Sequence, residues 1–166
     1  ILVVLLLLLF LGDLRASVIV ALALPMAALL TFILMGAIGL TANLMSLGGL
    51  AIAVGMLVDG AVVVVENVVE RLSDERHARG GKLHAVLVAS AEVAKPVASG
   101  MAIIALVFLP LLTLEGLEGK LFSPVALTIV LALLSALLLS LTLVPVLAYF
   151  GLKVKAGHHE PWLMRQ

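Results

Sequence analysis

Residues 17–40 carry no charged side chain, and that one stretch decides which solvent the chain folds in. A helix needs roughly 20 apolar residues to cross the hydrocarbon core of a bilayer. Inside that core every backbone N–H and C=O must be satisfied by the protein itself, which leaves helices or closed barrels. Further apolar stretches cover 1–12, 43–69, 93–114 and 121–152. The first is too short alone and reads as the second half of a span. The others are full spans, and the last is long enough to tilt or to extend past the bilayer. Hydrophobic residues make up 64% of the chain and charged residues 12%, too apolar a balance for a soluble domain of 166 residues to hide. The expected fold class is therefore all-α: a polytopic membrane helix bundle over 1–152, with a polar tail over 153–166.

The connections set the orientation. Gly12-Asp13-Leu14-Arg15 is a tight polar turn, and 39–46 is short and uncharged, with Thr41 or Asn43 as helix N-cap. Residues 70–95 form the one long polar connection, and 115–120 turn on Gly116 and Gly119. Alternating the spans puts Arg15, Arg71, Arg76, Arg79, Lys82, Lys95, Lys153, Lys155 and Arg165 on one side and Lys120 on the other. Basic residues collect on the cytoplasmic side of membrane proteins, so the 70–95 loop and the tail are cytoplasmic. In the tail, Pro161 to Arg165 with Trp162 reads as the start of an amphipathic helix on the membrane surface. The chain opens at Ile1 inside an apolar run, with no charged segment before it, and the expectation is a piece of a longer protein.

Several function classes fall away. The chain has no cysteine, hence no disulfide, thiolate metal site or cysteine nucleophile. The formal net charge is zero with no basic patch, which argues against nucleic acid as a partner. There is no phosphate-binding Walker loop, no G-x-S-x-G and no HExxH, so neither ATP-driven transport nor hydrolysis finds support, and the chain reads as no enzyme.

The chemistry concentrates in the third stretch. Asp59 interrupts an apolar run that is otherwise uncharged from Asn43 to Val65. An ionised carboxylate at that depth costs several kcal/mol unless it is paired or hydrated. A group able to be charged or neutral suits proton coupling, because each state favours a different helix packing. The competing reading is a structural salt bridge, and no span here offers a midplane cation for it. Glu66 follows two helical turns later on the same face, about 10 Å nearer the cytoplasm. It reads either as the next station of a proton relay or as an interfacial acid ending the run beside Asn67, Glu70 and Arg71. Gly48, Gly49, Gly55 and Gly60 read as close-packing positions beside the carboxylate. Met45 and Met56 share a face, and thioethers suit soft ions such as copper(I), although methionine is also ordinary packing material. His158-His159-Glu160 has metal-ligand composition but sits in the polar tail. Prolines 25, 96, 110, 124 and 145 read as tolerated kinks or as hinges.

Asn43-Leu44-Met45-Ser46-Leu47-Gly48-Gly49 and Val58-Asp59-Gly60-Ala61, running on to Glu66-Asn67, resemble the fourth transmembrane helix of the resistance-nodulation-division (RND) efflux pumps. Residues 108–124, from Phe108 through Glu115-Gly116 and Gly119-Lys120 to Pro124, are similar to the fifth-to-sixth helix connection of the heavy-metal branch, and Ser140 to Val146 to its sixth helix. The resemblance implies helices two to six of a twelve-helix inner-membrane homotrimer, exporting a heavy-metal cation against proton influx. It implies a periplasmic adaptor and an outer-membrane channel as partners, with no cofactor besides the coupling protons. Asp59 matches the family's proton-translocating Asp and Glu66 a neighbouring acid of the relay, with Asn67, Gly55 and Gly60 in support. Val58 stands where drug exporters usually carry a second Asp. Ala53 stands where zinc and cobalt exporters often carry an Asp. Leu57, beside Met56, stands where the copper/silver type usually carries Met. The metal stays open. The alternatives are a drug or organic-solute exporter of the same superfamily and a non-transporting membrane scaffold or sensor, which needs no titratable midplane acid.

Overall fold

The computed structural model describes residues 12–73 and 81–152, and every regular element among them is helical. The partial span at 1–12, apart from Gly12, and the tail at 153–166 with His158, His159, Glu160 and Trp162 lie outside the described residues. In chain order the elements are α1 (Leu14–Ala37), α2 (Leu44–Ser73), α3 (Lys82–Phe108), a 3₁₀ segment (Leu109–Thr113), α4 (Gly116–Leu141) and α5 (Leu143–Gly151). Four helical stretches are long and apolar enough to cross a membrane: Leu14–Ala37, Leu44–Ser73, Lys82–Thr113 and Gly116–Gly151.

The helix ends follow local chemistry. Asp13 caps α1, its Oδ1 accepting from the Arg15 N–H at 2.9 Å. Of the two candidates before α2, Asn43 does the capping: its Oδ1 accepts from the Ser46 N–H at 2.9 Å, and Ser46 Oγ accepts from the Asn43 N–H at 2.9 Å. This reciprocal pair satisfies two donors that a helix start leaves orphaned. Gly116 turns the chain into α4 at φ 71°, a conformation that costs a side-chain-bearing residue.

Two boundaries differ from the hydropathy reading. The polar stretch 70–95 is largely helical, because α2 runs on to Ser73 and α3 already begins at Lys82. Polar residues beyond the hydrocarbon leave no hydropathy signal, yet the helix continues through them. The stretch 121–152 is two helices meeting at Thr142. Pro145 has no N–H for the Leu141 carbonyl and its ring crowds it, which breaks the ladder there. Lys95 lies inside α3 and is exposed.

α2 is the centre of the bundle and touches α1, α3, α4 and α5. Its buried side carries small and β-branched residues, among them Ala53, Ala61, Val64, Val65 and Val68. Small residues let helix backbones approach closely, which is how helices associate in lipid, where apolar burial alone gives little. One close backbone approach is at Gly49, where a Cβ would stand 2.7 Å from the Val125 carbonyl oxygen of α4. Two buried hydroxyls are bonded within their own helices: Thr31 donates to the Ala27 carbonyl at 2.7 Å, and Ser90 to Val86 at 2.8 Å. Among the described residues no buried side-chain polar atom lacks a partner, as a bilayer requires.

Candidate functional site: the Asp59 side of α2

α2 has two sides of opposite character. Met45, Ile52, Asp59, Val63, Glu66 and Glu70 recur at spacings of three, four or seven and are all exposed. They form one stripe along the helix, since such spacings return to the same face. Ala53, Gly60, Val64 and Val68 on the opposite side are buried against the other helices. Asp59 sits mid-helix on the open side, and its neighbour Gly60 sits at a three-helix junction. A Cβ on Gly60 would meet Met101 Cε at 2.4 Å, Ser140 Oγ at 3.3 Å and Val97 Cγ1 at 3.4 Å.

Asp59 opens into an apolar cleft of about 240 Å³ between α2 and α3. Met56, Gly60 and Val63 line it from α2; Pro96, Gly100 and Met101 are among the α3 residues facing them. Gly60 lies against Val97 and Met101, while Asn67 lies against Ala89. The two helices therefore run antiparallel, and the Asp59 carboxylate stands at the depth of Pro96 to Gly100. Glu66 lies about 10 Å further along the same stripe, toward the end of the bundle that holds Arg15, Arg71 and Lys82.

Beyond Glu66 the helices are fastened by polar side chains. Asn67 Nδ2 donates to the Ala89 carbonyl at 2.7 Å and to Glu92 Oε2 at 3.4 Å. Arg71 Nε donates to Glu92 Oε2 at 3.1 Å, and its Nη2 pairs with Glu92 Oε1, a two-pronged ion pair. Further out, Lys82 Nζ stands 5.1 Å from the centre of the Tyr149 ring, joining α3 to α5.

The residues singled out from the sequence separate on this geometry. Asp59, Met56 and Gly60 share the cleft. Glu66 and Asp59 share a stripe, and Asn67 is half-buried against α3. Gly49 and Gly60 are tight contacts, whereas Gly48 and Gly55 meet nothing within 4 Å among the described residues. Met45 and Met56 are not brought together: eleven residues of helix put them about 16 Å apart. The thioether that does share the cleft with Met56 is Met101 of α3, which is buried. Neither Met101 nor the Arg71–Glu92 pair stands out in the sequence, Met101 being one apolar residue in an apolar run and Glu92 lying far from Arg71. Among the described residues no three His, Asp or Glu side chains gather closely enough to hold a metal ion.

The model of the AcrB/AcrD/AcrF family matches residues 1–166. The chain belongs to this family. Its AcrB/AcrD/AcrF-family relatives include the cobalt-zinc-cadmium resistance protein CzcA of Cupriavidus metallidurans, 44% identical over 170 residues, covering 99% of the chain and 16% of CzcA. The nickel-cobalt-cadmium resistance protein NccA of Alcaligenes xylosoxydans xylosoxydans is 42% identical over 165 residues, covering 96% of the chain and 15% of NccA. The cation efflux system protein CusA of Escherichia coli K12 is 38% identical over 154 residues, covering 89% and 15%. A crystal structure of a heavy metal efflux pump superposes with a TM-score of 0.71 at 42% identity, covering 91% of the chain and 14% of that protein. The chain thus spans about one-sixth of the length of these AcrB/AcrD/AcrF-family proteins. The resemblance to the heavy-metal RND transporters holds over nearly the whole chain, which is a multi-pass membrane segment of a transporter family.

Proposed function

We propose that this segment carries the energy-coupling helix of a heavy-metal cation exporter driven by proton influx across the bacterial inner membrane. The observation that carries the reading is Asp59: a carboxylate at the middle of a membrane-spanning helix, facing a cleft and in no ion pair among the described residues. In the proposed cycle Asp59 takes up and releases the coupling proton. Its charge state alters which side chains the open side of α2 tolerates, and so shifts the packing of whatever helix covers it. Glu66 is the station between Asp59 and the cytoplasmic end, with Asn67, Gly55 and Gly60 supporting the helix around them. The cargo is a metal cation handled as substrate, and the names of CzcA and NccA favour zinc, cobalt, nickel or cadmium. The proposed working unit is a homotrimer joined through a periplasmic adaptor to an outer-membrane channel.

The test is metal sensitivity of a pump-deleted bacterium carrying the full-length transporter, wild type against Asp59→Asn at equal expression. The panel is zinc, cobalt, nickel, cadmium, copper and silver, plus a dye. Wild type should protect against one group of metals, and Asp59→Asn should abolish protection. Equal protection by Asp59→Asn would end the coupling role. Export of the dye alone would replace the metal reading with a drug exporter.

A further inference from the structure

The clamp at the polar end of α2 and α3 lies beyond the residues that the relay uses, and its placement gives it a role. Asn67 and Arg71 are one turn apart on the α3-facing side of α2, about 12 and 18 Å along the helix from Asp59. Both converge on the same short piece of α3, Ala89 to Glu92. Pro96 follows one turn later. It has no N–H to close the helical hydrogen bond on the Glu92 carbonyl, so α3 lacks a rung between the clamp and the cleft. On one side of Pro96, α3 is bolted to α2 by three side chains. On the other side, Pro96, Gly100, Met101 and Ile104 face Asp59 across open space.

Apolar contacts pack α2 along its length, but none of them is a directional bond at its polar end. A bidentate Arg–carboxylate pair is directional, and so is an amide donating to a backbone carbonyl. The two together add directional restraints on the depth and the rotation of α2 against α3 at that end. We propose that Glu92, held by Arg71 and Asn67, is a positioning residue of the proton pathway: the clamp keeps the stripe shared by Asp59 and Glu66 turned to the open side. This rests on the relay reading above, and it adds a residue on α3 that never meets the proton.

The experiment uses the full-length transporter reconstituted in vesicles with an internal pH-sensitive dye. Proton flux driven by zinc(II), or by the cation that the sensitivity assay identifies, is followed against metal concentration. Glu92→Ala should lower maximal turnover about tenfold, a fraction of the roughly hundredfold loss that a misplacement of about 1 Å from a distant mutation can produce. Its half-saturating metal concentration should stay within about twofold of wild type, because ground-state binding is untouched. Glu92→Gln, which keeps the size and an acceptor oxygen, should fall between the two. Exchanging the partners, Arg71→Glu with Glu92→Arg, should restore most of the turnover lost in Glu92→Ala. Wild-type turnover in Glu92→Ala would overturn the proposal. So would a loss that the exchange leaves unrescued, or one in which half-saturation shifts as much as turnover. Asp59→Asn run alongside separates the two claims: transport surviving in Asp59→Asn removes the relay, whereas its loss there with Glu92→Ala unaffected removes only the clamp.

Discussion

Gly49→Ala and Gly60→Ala add the same methyl group to the buried side of one helix, yet they should behave differently. At Gly49 the new Cβ would stand 2.7 Å from the Val125 carbonyl oxygen and 3.2 Å from the Val125 Cα, with Thr128 Cβ at 3.3 Å. Backbone cannot swing aside. Restoring an ordinary carbon–oxygen contact of about 3.3 Å requires α2 and α4 to part by roughly half an ångström along their main contact. Overpacking of this kind costs about 1–3 kcal/mol, and the gain in helix propensity from Gly to Ala returns up to about 1 kcal/mol. The net effect is destabilisation by up to about 2 kcal/mol, centred on about 1 kcal/mol. At Gly60 the sub-3 Å approach is to Met101 Cε, the free end of a flexible side chain bordering the open cleft. That methyl moves with a change of rotamer, so Gly60→Ala should be close to neutral. The assay is thermal loss of the folded full-length transporter in detergent, read by size exclusion after heating. Gly49→Ala should lose its peak at lower temperature than wild type, and Gly60→Ala should track wild type. Thr128→Ala should not rescue Gly49→Ala, because the obstructing atoms are backbone. Equal stability of Gly49→Ala and wild type would refute the close α2–α4 approach, and a Gly60→Ala weaker than Gly49→Ala would refute the distinction between rigid and flexible neighbours.

Asn43→Ala removes the acceptor for the Ser46 N–H at the start of α2 and should cost about 1 kcal/mol, read by the same thermal assay; Asn43→Asp should cost less. Ile129→Ala empties a fully buried position of α4 and should cost about 2 kcal/mol or more, mainly through lost packing, since lipid tails are as apolar as the core. Lys82→Ala, which removes the cation over Tyr149, should change stability by no more than about 1 kcal/mol.

The four full spans are legible in the sequence because lipid leaves so few choices. Each uncharged stretch of adequate length becomes a helix, and a single acid inside one stands out without any structural help. Asp59 was legible for that reason, and Glu66 followed from helical periodicity. Contacts between helices were not. Gly48 and Gly49 are neighbours of identical chemistry, and only the packing separates the open position from the tight one. Met101 joins Asp59 and Met56 through the antiparallel register of α2 and α3, which no local pattern encodes. Arg71 and Glu92 are both polar residues in what reads as a loop until α3 is seen to begin at Lys82. The break at Thr142 did leave a sign, since Pro145 removes the rung that Leu141 needs; hydropathy averaged it away.

The two-sided character of α2 has a consequence for how such a protein can change its length. Loops between spans absorb inserted or deleted residues. The eight-residue step from Asp59 to Asn67 cannot, because one end must face the open side while the other grips α3. A residue added or removed within it turns one end by about 100° relative to the other. With the clamp held, Asp59 would leave its cleft; with Asp59 held, Asn67 and Arg71 would leave Glu92. Substitutions can accumulate in this stretch, but its length is fixed by what its two ends must face.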